Sequence, residues 1–215
     1  QGGRTIIKHM VNMPPYVPVY NPKNVGGFAG TTPADGSDPE NPVRIAKLEK
    51  DKNSNVSIVG NVFAELSLTE WLKFKSIVGV NFGADRRIIR LPIFNEGYNV
   101  RTENQLTDNR AYFYSPIFTN QLTIDKSFGK HYINAVIVGE QQKTKYYALN
   151  ASGKQNNNDI NQLAGSYAQS INGFEEITVL QSYAGRLNYS YDEKYLFNVS
   201  FRRDGSSVFA PGKKW

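Results

Sequence analysis

Residues 181–209 restrict the fold most, because their chemistry alternates with a period of two on both sides of a short polar break. Tyr183, Gly185, Leu187, Tyr189 and Tyr191, then Tyr195, Phe197, Val199 and Phe201, fall on one side of two extended segments. Ser182, Arg186, Asn188 and Ser190, then Asn198, Ser200, Arg202 and Asp204, fall on the other. Successive side chains of a strand point to opposite faces. The spacing therefore predicts a hairpin turning at Asp192-Glu193-Lys194, with one aromatic-rich apolar face and every charge on the opposite face. The apolar face needs either a protein core or a lipid bilayer.

Composition leaves both partners open. Hydrophobic residues make up 40% of the 215 and mean hydropathy is −0.49, which excludes a bundle of transmembrane helices. No apolar run approaches the roughly 20 residues a spanning helix needs. A membrane β-barrel escapes this test, since its apolar residues alternate with polar ones. The bias to 13 Tyr and 12 Phe over 2 Trp suits strands and membrane interfaces. With no Cys there is neither a disulfide framework nor a Cys-based metal site. The chain opens on Gln1 without the pattern of a signal peptide, so it is expected to be processed or cut from something longer. A net charge of +6 raises the question of nucleic acid. Arg86, Arg87, Arg90, Arg101 and Arg110 crowd into one expected loop, however, and the other cations scatter, so no nucleic-acid partner is expected.

Residues 1–54 read as irregular. Ile6, Ile7, Met10 and Val11 have helical spacing that Pro14-Pro15 would stop, and Asn41-Pro42 reads as a helix N-cap followed by Pro at the first helical position. From Asn55 the period is two. Val56, Ile58, Gly60, Val62, Ala64, Leu66 and Leu68 share a face, a turn follows at Thr69-Glu70, and Leu72, Phe74, Ser76, Val78, Val80 and Phe82 continue the apolar side. A loop is expected from Ala84 to about Ala111, strands over roughly 117–126 and 131–141, and another loop from about 143 to 178. The facing of the 131–141 strand is ambiguous, because Val136 and Val138 alternate in phase with Asn134 and Glu140.

Connections thus alternate between tight and long. Outer-membrane barrels have short turns on one side of the membrane and long loops on the other, whereas a soluble β-sandwich mixes them. Tyr189, Tyr191, Tyr195 and Phe197 all flank a tight turn, where an interfacial aromatic girdle would lie. The fold expected is all-β: an antiparallel transmembrane β-barrel segment of about six strands with long extracellular loops.

The stretch Tyr183-Ala-Gly-Arg-Leu-Asn-Tyr-Ser-Tyr-Asp-Glu-Lys-Tyr-Leu-Phe-Asn-Val-Ser-Phe-Arg-Arg-Asp-Gly-Ser-Ser-Val-Phe209 resembles the SusC/RagA family of TonB-dependent outer-membrane transporters. The residues that carry the likeness are Gly185, Arg186, Tyr189, Tyr191, Tyr195, Arg202, Asp204, Gly205 and Ser206. Weaker likenesses lie at Pro18-Val-Tyr-Asn21, Asn41-Pro-Val43, Gly60-Asn61, Leu72-Lys-Phe-Lys75 and Phe128-Gly-Lys-His131; Val208 stands where many members have Arg. The resemblance implies a roughly 22-stranded barrel with a plugged lumen in the outer membrane of a Gram-negative, Bacteroidetes-like bacterium. It implies import of glycan fragments or peptides, a SusD-like surface lipoprotein as lid, and energy from the TonB complex. No region of this chain resembles the plug domain or the TonB box. Residues 1–54 would be an extracellular loop region with short helices, and residues 55–215 barrel wall with outer loops. About six strands would leave open edges that a membrane does not tolerate, so the remainder of the barrel and outer-membrane lipid are expected partners.

No covalent chemistry is expected. His9 and His131 have no ligand-spaced partners, and Gly153-Lys154 lacks the setting of a phosphate loop. Asp35-Gly-Ser-Asp-Pro-Glu40 offers oxygens for calcium but lacks EF-hand spacing, so no cofactor is expected. Arg202 and Asp204 read as a lumen-facing pair steadying the strand. Phe94, Tyr98, Arg101, Tyr112 and Tyr114 lie in or beside the long second connection and are the candidates for stacking on sugar rings or peptide side chains. They could instead pack the loop against its neighbours. The competing reading of the whole chain is a soluble β-rich carbohydrate-binding module using exposed aromatics.

Overall fold

The computed structural model describes residues 6–36 and 38–215. Two short helices, α1 (Ile6–Asn12) and α2 (Pro42–Leu48), precede the strands β1 (Lys50–Thr69), β2 (Leu72–Leu91), β3 (Phe94–Asn95), β4 (Val100–Arg101), β5 (Asn104–Phe128), β6 (His131–Gln155), β7 (Tyr167–Tyr191) and β8 (Tyr195–Ser206). The long strands form one six-stranded sheet in the order β1-β2-β5-β6-β7-β8, an up-and-down meander, while β3 and β4 form a separate hairpin.

The long strands run 20 to 25 residues, except β8 with 12. A tilted strand crosses a bilayer in about 9–11 residues, and strands of soluble domains usually have about 5–6. The stretches expected to be long loops, 84–111 and 143–178, are largely strand; only 92–103 and 156–166 connect, the first carrying the β3–β4 hairpin. The reason is physical. Where neither face is required to be apolar a strand loses its alternation without losing its backbone pairing, so the ladder continues after the pattern that reveals it has faded, as in Lys143-Thr-Lys-Tyr-Tyr147. The tight turns fall close to where they were expected, at Glu70-Trp71, Gly129-Lys130 and Asp192-Glu193-Lys194. Gly129 takes φ +57°, a left-handed conformation that suits glycine.

The chain divides into two compact units. One comprises residues up to 55 with 85–110 and 148–173; the other comprises 56–84, 111–147 and 174–215. The first holds the core: the buried hydrophobics Phe28, Ala29, Phe94, Leu106 and Ala148 all belong to it. Among the described residues, the second unit buries no hydrophobic side chain and leaves Phe74, Phe118, Ile137, Tyr183, Phe197, Val199 and Phe201 exposed. It is a single layer of sheet, not two sheets packed face to face.

Candidate functional site

In the second unit the β7–β8 register pairs Gly185 with Phe201, Leu187 with Val199, Tyr189 with Phe197 and Tyr191 with Tyr195 on one face. Ser182 with Asp204, Ala184 with Arg202, Arg186 with Ser200 and Asn188 with Asn198 occupy the other. The two-faced hairpin read from sequence is therefore present, with one correction. Tyr183 pairs with Arg203, which puts a cation on the apolar face. Its guanidinium lies 5.4 Å from the Trp215 ring, and Trp215 stacks on Tyr183 at 5.7 Å.

Hydrogen bonds carry the polar face from strand to strand. Asn198 donates to Asn188, Asn188 to Asn134 (3.1 Å) and Asn134 to Asp125 (3.1 Å), a ladder across β8, β7, β6 and β5. Thr119 donates to Glu140 (2.9 Å), and Gln142 to Ser115 (2.8 Å). These contacts settle the facing of β6: Asn134, Val136, Val138, Glu140 and Gln142 belong to the polar side. Gly139 is opposite, where an added Cβ would sit 3.6 Å from the Tyr183 ring. Arg202 Nε donates to Asp204 at 2.9 Å on the polar face. Gly205 is buried and Ser206 is half-buried where β8 ends.

The apolar face gathers aromatics at its tight-turn end. His131 Nδ1 lies 2.7 Å from the Tyr189 hydroxyl, and its ring is 5.0 Å from both Phe128 and Tyr191. Tyr191 lies 6.4 Å from Tyr195. Tyr112 and Tyr114 lie on the same face of β5 as Phe118, Leu122 and Ile124, since Ser115 and Thr119 point to the polar side. Tyr112 stacks on Tyr147 at 5.2 Å, and Tyr114 is 47% exposed.

The remaining candidates belong to the first unit. Asn41 caps α2: its side-chain oxygen accepts from the N–H groups of Val43 (2.9 Å) and Arg44 (3.1 Å), and its amide donates to the carbonyls of Val19 and Ala29. The cap delivers Arg44 into the interior with no exposed surface. Arg44 pairs with Glu40, Glu49 (2.8 Å) and Glu96, and its guanidinium lies 3.6 Å from the Phe94 ring. Arg101 lies 4.9 Å from the same ring and pairs with Glu49 at 2.9 Å. Buried charges persist only when paired and hydrogen-bonded, and each here is. Burial raises the pKa of Glu96, and the Asn41 N–H and the Arg44 guanidinium offset this only in part. Burial acts in the same sense on Glu49, but hydrogen bonds from Arg44 and Arg101 outweigh it and the pKa falls.

Phe94 and Arg101 thus form the base of the β3–β4 hairpin, while Tyr98, at its tip, is 57% exposed. Gly97 turns the chain at φ +105°, and Tyr98 N–H donates to the Thr31 carbonyl at 3.0 Å. A shallow cleft beside the tip is lined by Pro33, Gly36, Asp38 and Tyr98. Asp35, offered by the sequence as a calcium ligand, accepts from Tyr16 Oη (2.7 Å) and from Thr32 N (2.6 Å) and Oγ1 (2.8 Å). No group of three or more His, Cys, Asp or Glu suited to a metal occurs among the described residues.

Sequence reasoning missed Arg44, Glu96 and a set of buried amides. Asn104 donates to Gln155 (2.8 Å), which donates to the Gln162 carbonyl (2.9 Å) and Ser166 Oγ (3.1 Å). Asn158 pairs with both backbone groups of Ile93, at 2.7 and 2.9 Å. The run of arginines is also accounted for. Arg86 and Arg110 clamp Asp108, whose pKa their hydrogen bonds hold well below the usual carboxylate range; Arg87 pairs with Asp51, and Arg90 donates to the Asn158 carbonyl.

No protein-family model matches the chain. It is 26% identical over 223 residues to the TonB-dependent receptor P3 of Formosa agariphila, covering 100% of this chain and 21% of the relative. It is also 26% identical over 187 residues to the TonB-dependent receptor SusC of Bacteroides thetaiotaomicron, covering 82% and 18%. Among solved structures, the RagAB peptide transporter superimposes with a TM-score of 0.73 at 20% identity over 81% of this chain and 20% of that one. The RagAB peptide importer in its closed-closed state gives 0.74 at 21% identity over 82% and 20%. The chain spans about a fifth of the length of these proteins. Its fold is the antiparallel fold of a stretch of a TonB-dependent receptor barrel, and its sequence is similar to receptors of the SusC/RagA kind, as the hairpin motif indicated. None of these relatives is described as an enzyme.

Proposed function

We propose that this chain, as a stretch of SusC/RagA-type barrel, forms part of the wall and outer loops of a TonB-dependent outer-membrane transporter that imports nutrient oligomers. The observation that carries the reading is the hairpin's apolar face. The tight-turn aromatics, from Phe128 and His131 to Tyr195 and Phe197, supply one interfacial girdle. Arg203, with Tyr183 and Trp215 beside it, supplies the other, eight positions along β8 from Tyr195. At about 3.3 Å per residue and a tilt of about 40° that span covers roughly 20 Å of depth, close to the ~25 Å apolar band of outer-membrane barrels. The polar ladder then faces the lumen, together with Arg186, Arg202 and Asp204.

In this reading residues 1–54 form a loop region outside the membrane and residues 55–215 form wall and outer loops. A SusD-like lipoprotein covers the mouth, and TonB acts through parts of the parent outside the matched fifth. RagAB is described as a peptide transporter, which makes peptides one cargo class to test; the family resemblance of the hairpin motif adds glycan fragments as the other. Tyr98, exposed on a braced hairpin, is the residue we assign to cargo or lid contact. Phe94 and Arg101 hold that hairpin, and Tyr112 and Tyr114 belong to the outward aromatic surface. No covalent chemistry is assigned and no cofactor is required. The test is uptake of labelled peptides and glycan fragments by cells carrying the full-length parent, with and without a functional TonB complex. TonB-dependent uptake that is lost on deleting the parent supports the proposal. A parent that stays monodisperse in plain buffer without detergent overturns it.

A further inference from the structure

Arg203 stands on a face otherwise given to Phe197, Val199 and Phe201, where a cation at mid-membrane would be costly. Three observations explain its tolerance there. It lies at the end of the apolar run of β8, whose last three residues are Asp204, Gly205 and Ser206. It is exposed, and it has no carboxylate partner among the described residues. Tyr183 and Trp215 flank it, 46% and 52% exposed, in the stacked arrangement of an interfacial belt. On β6 the same face continues from Gly139, beside Tyr183, to Lys143, roughly 13 Å further along. Lys143 is exposed and, like Arg203, has no carboxylate partner among the described residues, whereas the next cation on that face, Lys145, pairs with Glu175 at 2.8 Å. On the loop-end half of this face in the second unit, acidic side chains among the described residues thus leave Arg203 and Lys143 without a carboxylate; Lys126, also on this face, lies at the tight-turn end over the Trp71 ring.

We propose that Arg203 and Lys143 form a binding site for the phosphate-bearing headgroup of a membrane lipid in the leaflet at the loop end. The lipid's acyl chains lie along Leu187, Val199 and Phe201, and Tyr183 and Trp215 pack at the level of its glycerol or sugar. This rests on the barrel-wall reading above. Charge complementarity selects an anionic lipid over a zwitterionic one, and continuity with the apolar face selects a lipid over free phosphate.

The experiment is native mass spectrometry of the full-length parent in detergent, titrated separately with phosphatidylglycerol, phosphatidylcholine and inorganic phosphate. Preferential retention of phosphatidylglycerol is expected, unrelieved by inorganic phosphate. Each of R203Q and K143Q should weaken it about fivefold, the effect of one cation near an anionic surface, while leaving phosphatidylcholine binding unchanged. R203K should retain it. R202Q, one residue away on the opposite face, should leave it unaltered. Equal retention of the two lipids, an R202Q loss as large as that of R203Q, or displacement by inorganic phosphate would each overturn the proposal. A parent that needs no detergent defeats the barrel reading instead, so the two failures are distinguishable.

Discussion

Replacing Arg44 with Ala removes the cation at the centre of the first unit. Arg44 has no exposed side-chain surface, and neither has Glu96. Glu40 and Glu49 retain 30% and 21% exposure, and Glu49 keeps Arg101 at 2.9 Å. The cost therefore falls on Glu96, which is left buried with only the Asn41 N–H at 2.8 Å. Breaking a buried pair in this way costs about 3–5 kcal/mol. That corresponds to local opening of the β3–β4 hairpin faster by about two to three orders of magnitude or more. Hydrogen exchange over 94–101 and 41–48 in the full-length parent measures it. Arg101→Ala serves as the comparison, because it leaves Glu49 paired with Arg44, and its effect should be much smaller. The pH dependence gives an independent sign. The pKa of Glu96 is raised in the fold, so the native state binds more protons than the unfolded chain above the ordinary carboxylate pKa of 4.5. Stability from this group therefore falls as pH rises through that window. Losing Arg44 raises the pKa further, so the variant should recover protection between pH 7 and pH 5. Equal effects of the two substitutions, or greater loss at pH 5, would refute the reasoning.

Other consequences follow from the same geometry. Leu187→Arg should cost about 2–4 kcal/mol if its face meets lipid and should sharply lower the folded, membrane-inserted yield; Ser200→Arg, on the opposite face, should be tolerated. A Cβ on Gly185 would lie 2.3 Å from the Phe201 ring, so Gly185→Val should displace that ring and cost about 1–3 kcal/mol, read from urea unfolding in detergent. Asp108 has a lowered pKa, so its contribution is present above the ordinary value of 3.8 and is lost as pH falls below it. Asp108→Asn should flatten that acid dependence in hydrogen exchange at the neighbouring ends of β2 and β5. Tyr98→Ala should leave exchange of the hairpin base unchanged while weakening cargo or lid binding measured by calorimetry.

The hairpin was legible because two constraints coincide in it. Alternation assigns the faces, and the turn fixes the register, so Tyr189 opposite Phe197 follows from counting. Arg203 was misplaced because the chemistry changes there before the strand does. The loop-side halves of β5, β6 and β7 were hidden for a related reason: Lys143-Thr-Lys-Tyr-Tyr147 pairs through its backbone, while its side chains do not alternate in the way that advertises a strand. Asn41-Pro42 announced α2 through local capping chemistry. The destination of Arg44 could not be read, since Glu96 lies 52 residues away and nothing local couples them. Both residues look like ordinary surface charges in sequence. Of the candidate aromatics, the sequence could not separate Phe94, which is 3% exposed, from Tyr98, since both sit in the same connection.

The β3–β4 hairpin separates what must be kept from what is free to change. Phe94, Glu96 and Arg101 are committed to the buried charge cluster, Gly97 to its positive φ, and Asn99 to the carbonyls of Asp38 and Pro39. Among the described residues of the hairpin, Tyr98 and Val100 keep side chains that are 57% and 50% exposed, and Tyr98 stands at the tip. Position 98 is therefore where recognition can drift between lineages, or be rewritten by design, without renegotiating the stability of what carries it.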